Sequence, residues 1–135
     1  MAAQFTKQQV LSASEARVMI ETERAIAELA MPWRVMAQVS LGEILRSEDA
    51  AAFSAVNSKR VDLLIVDERH HPIAAVEYQG TGHWQGNAAA RDAVKKEALR
   101  KAGVAYIEII AGSHLPADLH REIARLARLS SKVLA

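Results

Sequence analysis

Two carboxylates on either side of a short polar turn are the first residues in this sequence that could do chemistry. Asp62 lies near the start of the apolar run Val61–Val66, and Glu77 lies near the end of the run Ile73–Gln79. Between them stand Asp67, Glu68, Arg69, His70, His71 and Pro72. Two strand-like runs around so short a connection read as an antiparallel hairpin. A turn symmetric about Arg69 and His70 sets Asp62 directly opposite Glu77 on one face, with Cβ atoms roughly 4.5–5.5 Å apart. Like charges so placed destabilise a sheet, and a partner must compensate them. A hard divalent cation does so, because Mg²⁺ takes one or two protein carboxylates and keeps its waters. Gln79 follows Glu77 by two positions and shares its face. Without a cation, removing Glu77 should relieve the repulsion and raise stability slightly. The plainer alternative is two strand-end carboxylates in water, or a pair separated by a bulge or a one-residue slip.

The elements that must hold this pair follow from local pattern. Ser12 and Glu15 have capping-box spacing and open a first helix, in which Met19, Ile26 and Leu29 recur at helical intervals. Pro32 should end it. Glu15 falls on the stripe of Met19, Thr22 and Ile26, so it points inward. Trp33–Val39 alternates as a half-buried strand, with Trp33, Val35, Ala37 and Val39 on one side. Ser40 and Glu43 form a second capping-box pattern opening a helical turn through Leu45, and Ser47–Val56 is Ala-rich and helical. After the hairpin, Gly80–Gly86 is a glycine-bearing loop and Ala88–Ala102 a helix with Gly103 at its C′ position. Val104–Ile110 is a strand. Leu115–Val133 is an amphipathic helix with Pro116 in its first turn. The order is α-β-(α)-β-β-α-β-α. Residues 1–10 are read as a tail and 11–135 as a single domain.

Composition sets the outer bounds. At 135 residues, 50% hydrophobic and 24% charged, the chain has the size and balance of one globular domain. The absence of cysteine excludes disulfides, Cys-ligated zinc and thiol nucleophiles. No apolar run approaches the roughly 18 residues of a membrane span, and Met1–Gln9 lacks the apolar stretch of a signal peptide. A cytoplasmic protein without membrane contact is the expectation. Acidic residues outnumber basic ones up to residue 87, and the balance reverses beyond it. The basic C-terminal third could meet phosphate or be only a set of solvated helix faces.

Asp62, then Glu77-Tyr78-Gln79 after a hairpin, then a helix carrying Lys95 and Lys96, then a strand, resembles the core of the PD-(D/E)XK nuclease superfamily. The stretch from Val61-Asp62-Leu63-Leu64 through Val76-Glu77-Tyr78-Gln79-Gly80, His83, Arg91-Asp92, Lys95 and Leu99 to Gly103-Val104 looks like a bacterial branch with very-short-patch-repair-like endonucleases. It is closer to an uncharacterised domain family of that branch, which the leader Leu11-Ser12 with Glu15 and the strand end Gln38-Val39-Ser40-Leu41 also match. The resemblance covers roughly residues 11 to 110. It implies a restriction-endonuclease-like α/β core, α-β-β-β-α-β with a C-terminal helix, its mixed sheet flanked by helices. It also implies Asp62, Glu77 and the carbonyl of Tyr78 as ligands of Mg²⁺ or Mn²⁺, with Glu15 in the acidic position that completes the shell. Gln79 departs from the pattern, because most active members carry lysine there to orient the attacking water and steady the phosphorane charge. Some members take that lysine from the following helix, where Lys95 and Lys96 stand. Asp92 is spaced to pair with Lys96, which makes Lys95 the candidate catalytic lysine.

The other singled-out residues divide between this chemistry and ordinary roles. His83 is a candidate general acid or phosphate contact, against a loop histidine bonded to backbone. Trp84 packs on the core or stacks on a base. His70 and His71 point apart and make a poor metal pair, and His114 and His120 are expected in solvent. Arg121, Arg125, Arg128 and Lys132 form a stripe that could border a DNA cleft. The expected function is a metal-dependent nuclease acting on DNA. The rivals are a nuclease fold that has lost catalysis at Gln79 and binds DNA or a protein, and an unrelated α/β interaction protein. The sequence leaves a homodimer open.

Overall fold

The computed structural model describes residues 2–80, 87–114 and 116–134, with only the backbone of 87–92 and 132–134. His83 and Trp84, and the side chains of Arg91, Asp92 and Lys132, lie outside the described residues.

Helix α1 (Ala13–Glu28) opens with the anticipated capping box: the Glu15 N–H donates to Ser12 Oγ at 3.1 Å and the Ser12 N–H to Glu15 Oε1 at 2.8 Å. It ends before Pro32 can act. The Met31 N–H donates to the Ile26 carbonyl at 3.2 Å and the Ala30 N–H to the Ala27 carbonyl at 3.1 Å, with Ala30 at φ +52°. This is a Schellman ending with alanine in the left-handed position usually given to glycine. Strand β1 (Arg34–Ser40) leads into the short α2 (Leu41–Ile44) and α3 (Ala50–Val56). No capping-box hydrogen bond forms at Ser40, whereas Asp49 caps α3 by accepting the Ala52 N–H at 3.0 Å.

Strands β1, β2 (Arg60–Val66), β3 (Pro72–Gln79) and β4 (Ala105–Ile110) form one four-stranded mixed sheet in that spatial order. The first three run antiparallel in turn, and β4 lies parallel to β3. A parallel neighbour requires a crossover, which α4 (Asn87–Lys101) supplies. Gly103 at φ +79° ends α4, with the Val104 N–H on the Leu99 carbonyl at 3.0 Å. Helix α5 (Pro116–Leu134) closes the chain. Among the described residues no helix is long and apolar enough to cross a membrane.

The hairpin turn departs from the symmetric form. The Asp67 N–H bonds the His71 carbonyl at 3.0 Å, and Asp67 Oδ1 accepts the N–H groups of Arg69 and His71 at 2.8 and 2.9 Å. The turn is therefore centred on Arg69, with His70 at φ +67°. A bulge at Ile65/Val66, where Ile73 is the extra residue of β3, shifts the pairing back. Beyond it, Leu63 pairs with Val76, and Asp62 and Glu77 stand one residue further along their strands, joined by side-chain contacts.

Two apolar layers clamp the sheet. Leu63, Ile65, Ala74, Val76, Ile107 and Ile109 pack with Val18, Ala25 and Ile26 of α1 and Leu119, Ile123 and Leu126 of α5. On the opposite face Leu64, Val66 and Ala75 pack with Leu41, Val56 of α3 and Leu99 of α4. Each large aliphatic buried this way contributes about 1.5–3 kcal/mol. One break in alternation matters for the site. Ala37 and Leu63 pack on the α1/α5 side, yet Val39 and Val61, two residues away, pack on the α4 side. The reversal falls at Gln38, which has φ +54° and lies opposite Asp62 in the β1–β2 register. Val39 thus does not share a face with Trp33, Val35 and Ala37 as simple alternation predicts.

Candidate functional site

The distortion at Gln38 and Asp62 releases backbone groups that a regular ladder would use. The Asp62 N–H donates to Glu77 Oε2 at 3.0 Å, and the Tyr78 N–H donates to Asp62 Oδ2 at 2.8 Å. Each carboxylate thereby binds the backbone of the other's strand, and the two acids are locked side by side. Glu77 is buried, with 3% of its surface exposed, and Asp62 is half-buried. Burial first, and then the Glu77 carboxylate beside it, push the Asp62 carboxyl up to about 8, against a weaker lowering by the Tyr78 N–H.

Lys95 reaches this pair from α4. Its ammonium forms an ion pair with Glu77 Oε1 and donates to the Arg60 carbonyl at 3.0 Å. Its side chain is 13% exposed, so the charge is largely withdrawn from water. Truncating Glu77 would strip Lys95 of its counter-ion and the Asp62 N–H of its acceptor. Relief of repulsion is then the smaller effect, and the sequence-based expectation of a small stability gain is reversed. Lys96 turns elsewhere: its ammonium lies 3.4 Å from Glu108 Oε1 and 5.6 Å from the centre of the Tyr106 ring.

Glu108 was not singled out by sequence reasoning. The parallel register sets it beside Glu77, so Asp62, Glu77 and Glu108 form a row across three strands, met from above by the two lysines of α4. The signal was available in the alternation of Tyr106, Glu108 and Ile110, but it becomes specific only once β4 is known to be parallel to β3. Among the described residues no group of three or more His, Cys, Asp or Glu side chains is arranged to hold a metal ion.

Gln79 shares the face of Glu77 and is 3% exposed, and its Oε1 has no hydrogen-bond partner among the described residues. A buried amide oxygen left in this way costs about 1–3 kcal/mol unless something donates to it. Tyr78 points the other way and packs against the α1/α5 layer, while its main chain stays beside Asp62. Glu15 is half-buried, and its Oε1 is engaged in the capping box, yet its charge also raises the Asp62 carboxyl.

The remaining polar residues are not gathered here. Arg121 pairs with Asp118 at 3.1 Å and Arg125 with Glu122 at 3.2 Å, all on α5. That helix packs on the opposite face of the sheet from α4, so the stripe with Arg128 does not flank the carboxylates. His114 is half-buried and its Nδ1 accepts the Ile110 N–H at 3.0 Å. His120 lies 3.2 Å from Glu28 and links α5 to α1. His114 thus differs from the expected solvent position, whereas the His120 side chain keeps 41% of its surface exposed. His71 lies in the exposed turn, 3.9 Å from Asp67.

Residues 7–126 match the family described as "Protein of unknown function (DUF2726)", and the chain belongs to that family. It is 56% identical over 122 residues to "Uncharacterized protein y4bI" of Sinorhizobium fredii, covering 90% of this chain and 88% of that protein. It is 45% identical over 104 residues to an "Uncharacterized protein" of Haemophilus influenzae, covering 77% of this chain and 55% of that relative, about half its length. No solved structure matches the chain.

Proposed function

We propose that this member of the DUF2726 family is a metal-dependent nuclease that hydrolyses DNA phosphodiester bonds on a restriction-endonuclease-like core of the PD-(D/E)XK type. The observation that carries the reading is the cluster of Asp62, Glu77 and Lys95: two carboxylates fixed side by side on adjacent strands, with a largely buried ammonium against Glu77. The order of elements, α-β-β-β-α-β with two short helices between the first two strands and a C-terminal helix, supports the reading.

The donor set fits a small hard cation. Asp62 offers a carboxylate whose proton is held up to about pH 8 by burial and by Glu77, an unfavourable state that a divalent charge would relieve. Two carboxylates with backbone and water oxygens suit Mg²⁺ or Mn²⁺ better than a metal needing three side-chain ligands. Asp62 and Glu77 would hold the ion, with the Tyr78 carbonyl as third ligand and Glu15 adding negative charge from the first turn of α1. Bound there, the cation would polarise the phosphodiester and lower the pKa of a water molecule. Gln79, whose Oε1 has no partner among the described residues, would accept a hydrogen bond from the attacking water and so orient it. Lys95 would supply the positive charge that Gln79 lacks, steadying the phosphorane. His83 stays a candidate proton donor to the leaving oxygen.

The test is cleavage of plasmid and single-stranded DNA with Mg²⁺ or Mn²⁺ and with chelator, comparing the wild type with Asp62→Asn. The reading expects metal-dependent cleavage that Asp62→Asn abolishes. A second reading, an inactive nuclease-fold module binding DNA or a protein, is favoured by the neutral Gln79 in the usual lysine position. Salt-dependent DNA binding without cleavage under every metal condition would select it.

A further inference from the structure

We propose that Lys95 is a tethered counter-ion that holds the place of the divalent cation at Glu77 and is exchanged for it when the cation binds. The inference rests on the reading of Asp62 and Glu77 as metal ligands. Both oxygens of Glu77 are engaged, Oε2 by the Asp62 N–H at 3.0 Å and Oε1 by the Lys95 ammonium. Asp62 Oδ2 is held by the Tyr78 N–H at 2.8 Å. Oε2 is tied into the strand contacts, whereas Oε1 has the lysine ion pair and no hydrogen-bond partner among the described residues, so its partner is the one that can be exchanged without loosening the strands.

An ammonium and a divalent ion cannot share one carboxylate oxygen at contact distance, because their mutual repulsion is strong where water is scarce. Cation entry must move Lys95 off Glu77. The Arg60 carbonyl, 3.0 Å from the ammonium, is a neutral anchor that the exchange leaves in place. The one other carboxylate of β4 on that face, Glu108, is already paired with Lys96, so the displaced charge is left short of an anion. A non-bridging oxygen of a phosphodiester is the anion that a substrate would bring. Lys95 thus weakens metal binding in the free protein and becomes available to the phosphate once metal is bound, an order of events that position 79 cannot provide with a neutral amide.

Two measurements on the full chain decide this. In Mn²⁺ titration calorimetry, Lys95→Met binds Mn²⁺ about tenfold tighter than the wild type. Lys96→Met, which removes the neighbouring ammonium from Glu108, changes the affinity by less than about threefold. In the wild type, amine labelling read by mass spectrometry shows Lys95 reacting faster when Mg²⁺ is added, with Lys96 unchanged as the internal reference. The labelling arm stands if Lys95→Met fails to fold. Mn²⁺ binding with equal or lower affinity in Lys95→Met, or a Lys95 labelling rate indifferent to saturating Mg²⁺, overturns the exchange while leaving Asp62 and Glu77 as ligands. Absence of Mn²⁺ binding to any of the three proteins overturns the metal reading, and the exchange falls with it.

Discussion

Replacing Lys95 with alanine tests how far the site is held by one buried ion pair. Glu77 is 3% exposed and Lys95 13%, so neither charge is well solvated once the other is gone. Removing one member of a buried pair typically costs about 3–5 kcal/mol, since the remaining charge is stranded. Here the lower end applies, because the neighbouring Asp62 carboxyl is half-buried and held up to about 8, so it adds little negative charge beside Glu77 at neutral pH. Lys96→Ala is the matched control. Its partner distance is 3.4 Å and its side chain is 58% exposed, which limits the loss to about 0–1 kcal/mol. Urea unfolding at neutral pH without divalent ions should therefore show Lys95→Ala about 3 kcal/mol less stable than the wild type, at unchanged m value. A double-mutant cycle with Glu77→Gln should recover most of that loss as coupling energy. Equal, small losses for Lys95→Ala and Lys96→Ala, or a coupling near zero, would refute the claim that a buried pair organises the site.

Glu77→Ala should destabilise the metal-free chain in the same assay, because Lys95 and the Asp62 N–H both lose a partner; a stability gain would restore the simple repulsion argument. Glu77→Gln should keep the fold, read by circular dichroism, and lose metal-dependent DNA cleavage. The pH dependence has a definite sign. Asp62 goes from 3.8 in the unfolded chain to about 8 in the folded one, so its contribution to stability is complete below pH 3.8 and lost as pH rises through 8. The stability of the wild type relative to Asp62→Asn should fall between pH 5 and about pH 8 in chelator, and a flat or rising difference would contradict the shift. Ala30→Gly should raise stability by about 1 kcal/mol, roughly 4 °C in Tm, by relieving the left-handed alanine at the end of α1; an unchanged or lower Tm would remove that account.

Much of the fold was legible because local rules and burial agree. The Ser12–Glu15 box, Pro116 at the start of α5 and Gly103 after α4 are short-range signals, and each marks its element in the structure. The opposition of Asp62 and Glu77 was reached from a turn that the chain does not form. The real turn is one residue out of step, and the bulge at Ile65/Val66 cancels the error. The turn did carry a local signal in Asp67, whose side chain accepts the Arg69 and His71 N–H groups, but the bulge at Ile73 has no local signature. The same holds for Gln38, whose left-handed backbone reverses the side of Val39.

The position of Lys95 follows from α4 crossing over the face that carries Glu77, a topological fact that the helix pattern alone does not contain. Sequence reasoning treated the lysine as a group acting on the water and the phosphorane charge. The structure sets its ammonium on the Glu77 carboxylate itself. Glu108 stayed hidden for a related reason: a single acid in an apolar strand reads as an exposed residue until a parallel register places it beside Glu77. His114 was misjudged because a side chain that caps its own strand end looks, in sequence, like any loop histidine.

Whether Asp62 and Glu77 together hold a divalent metal ion is decided by anomalous scattering from crystals soaked in Mn²⁺. A peak is expected at bonding distance from oxygens of both Asp62 and Glu77, with the Lys95 ammonium moved off Glu77 Oε1. A map from fully soaked crystals with no peak at that pair, and Lys95 still on Glu77, would contradict a metal site there.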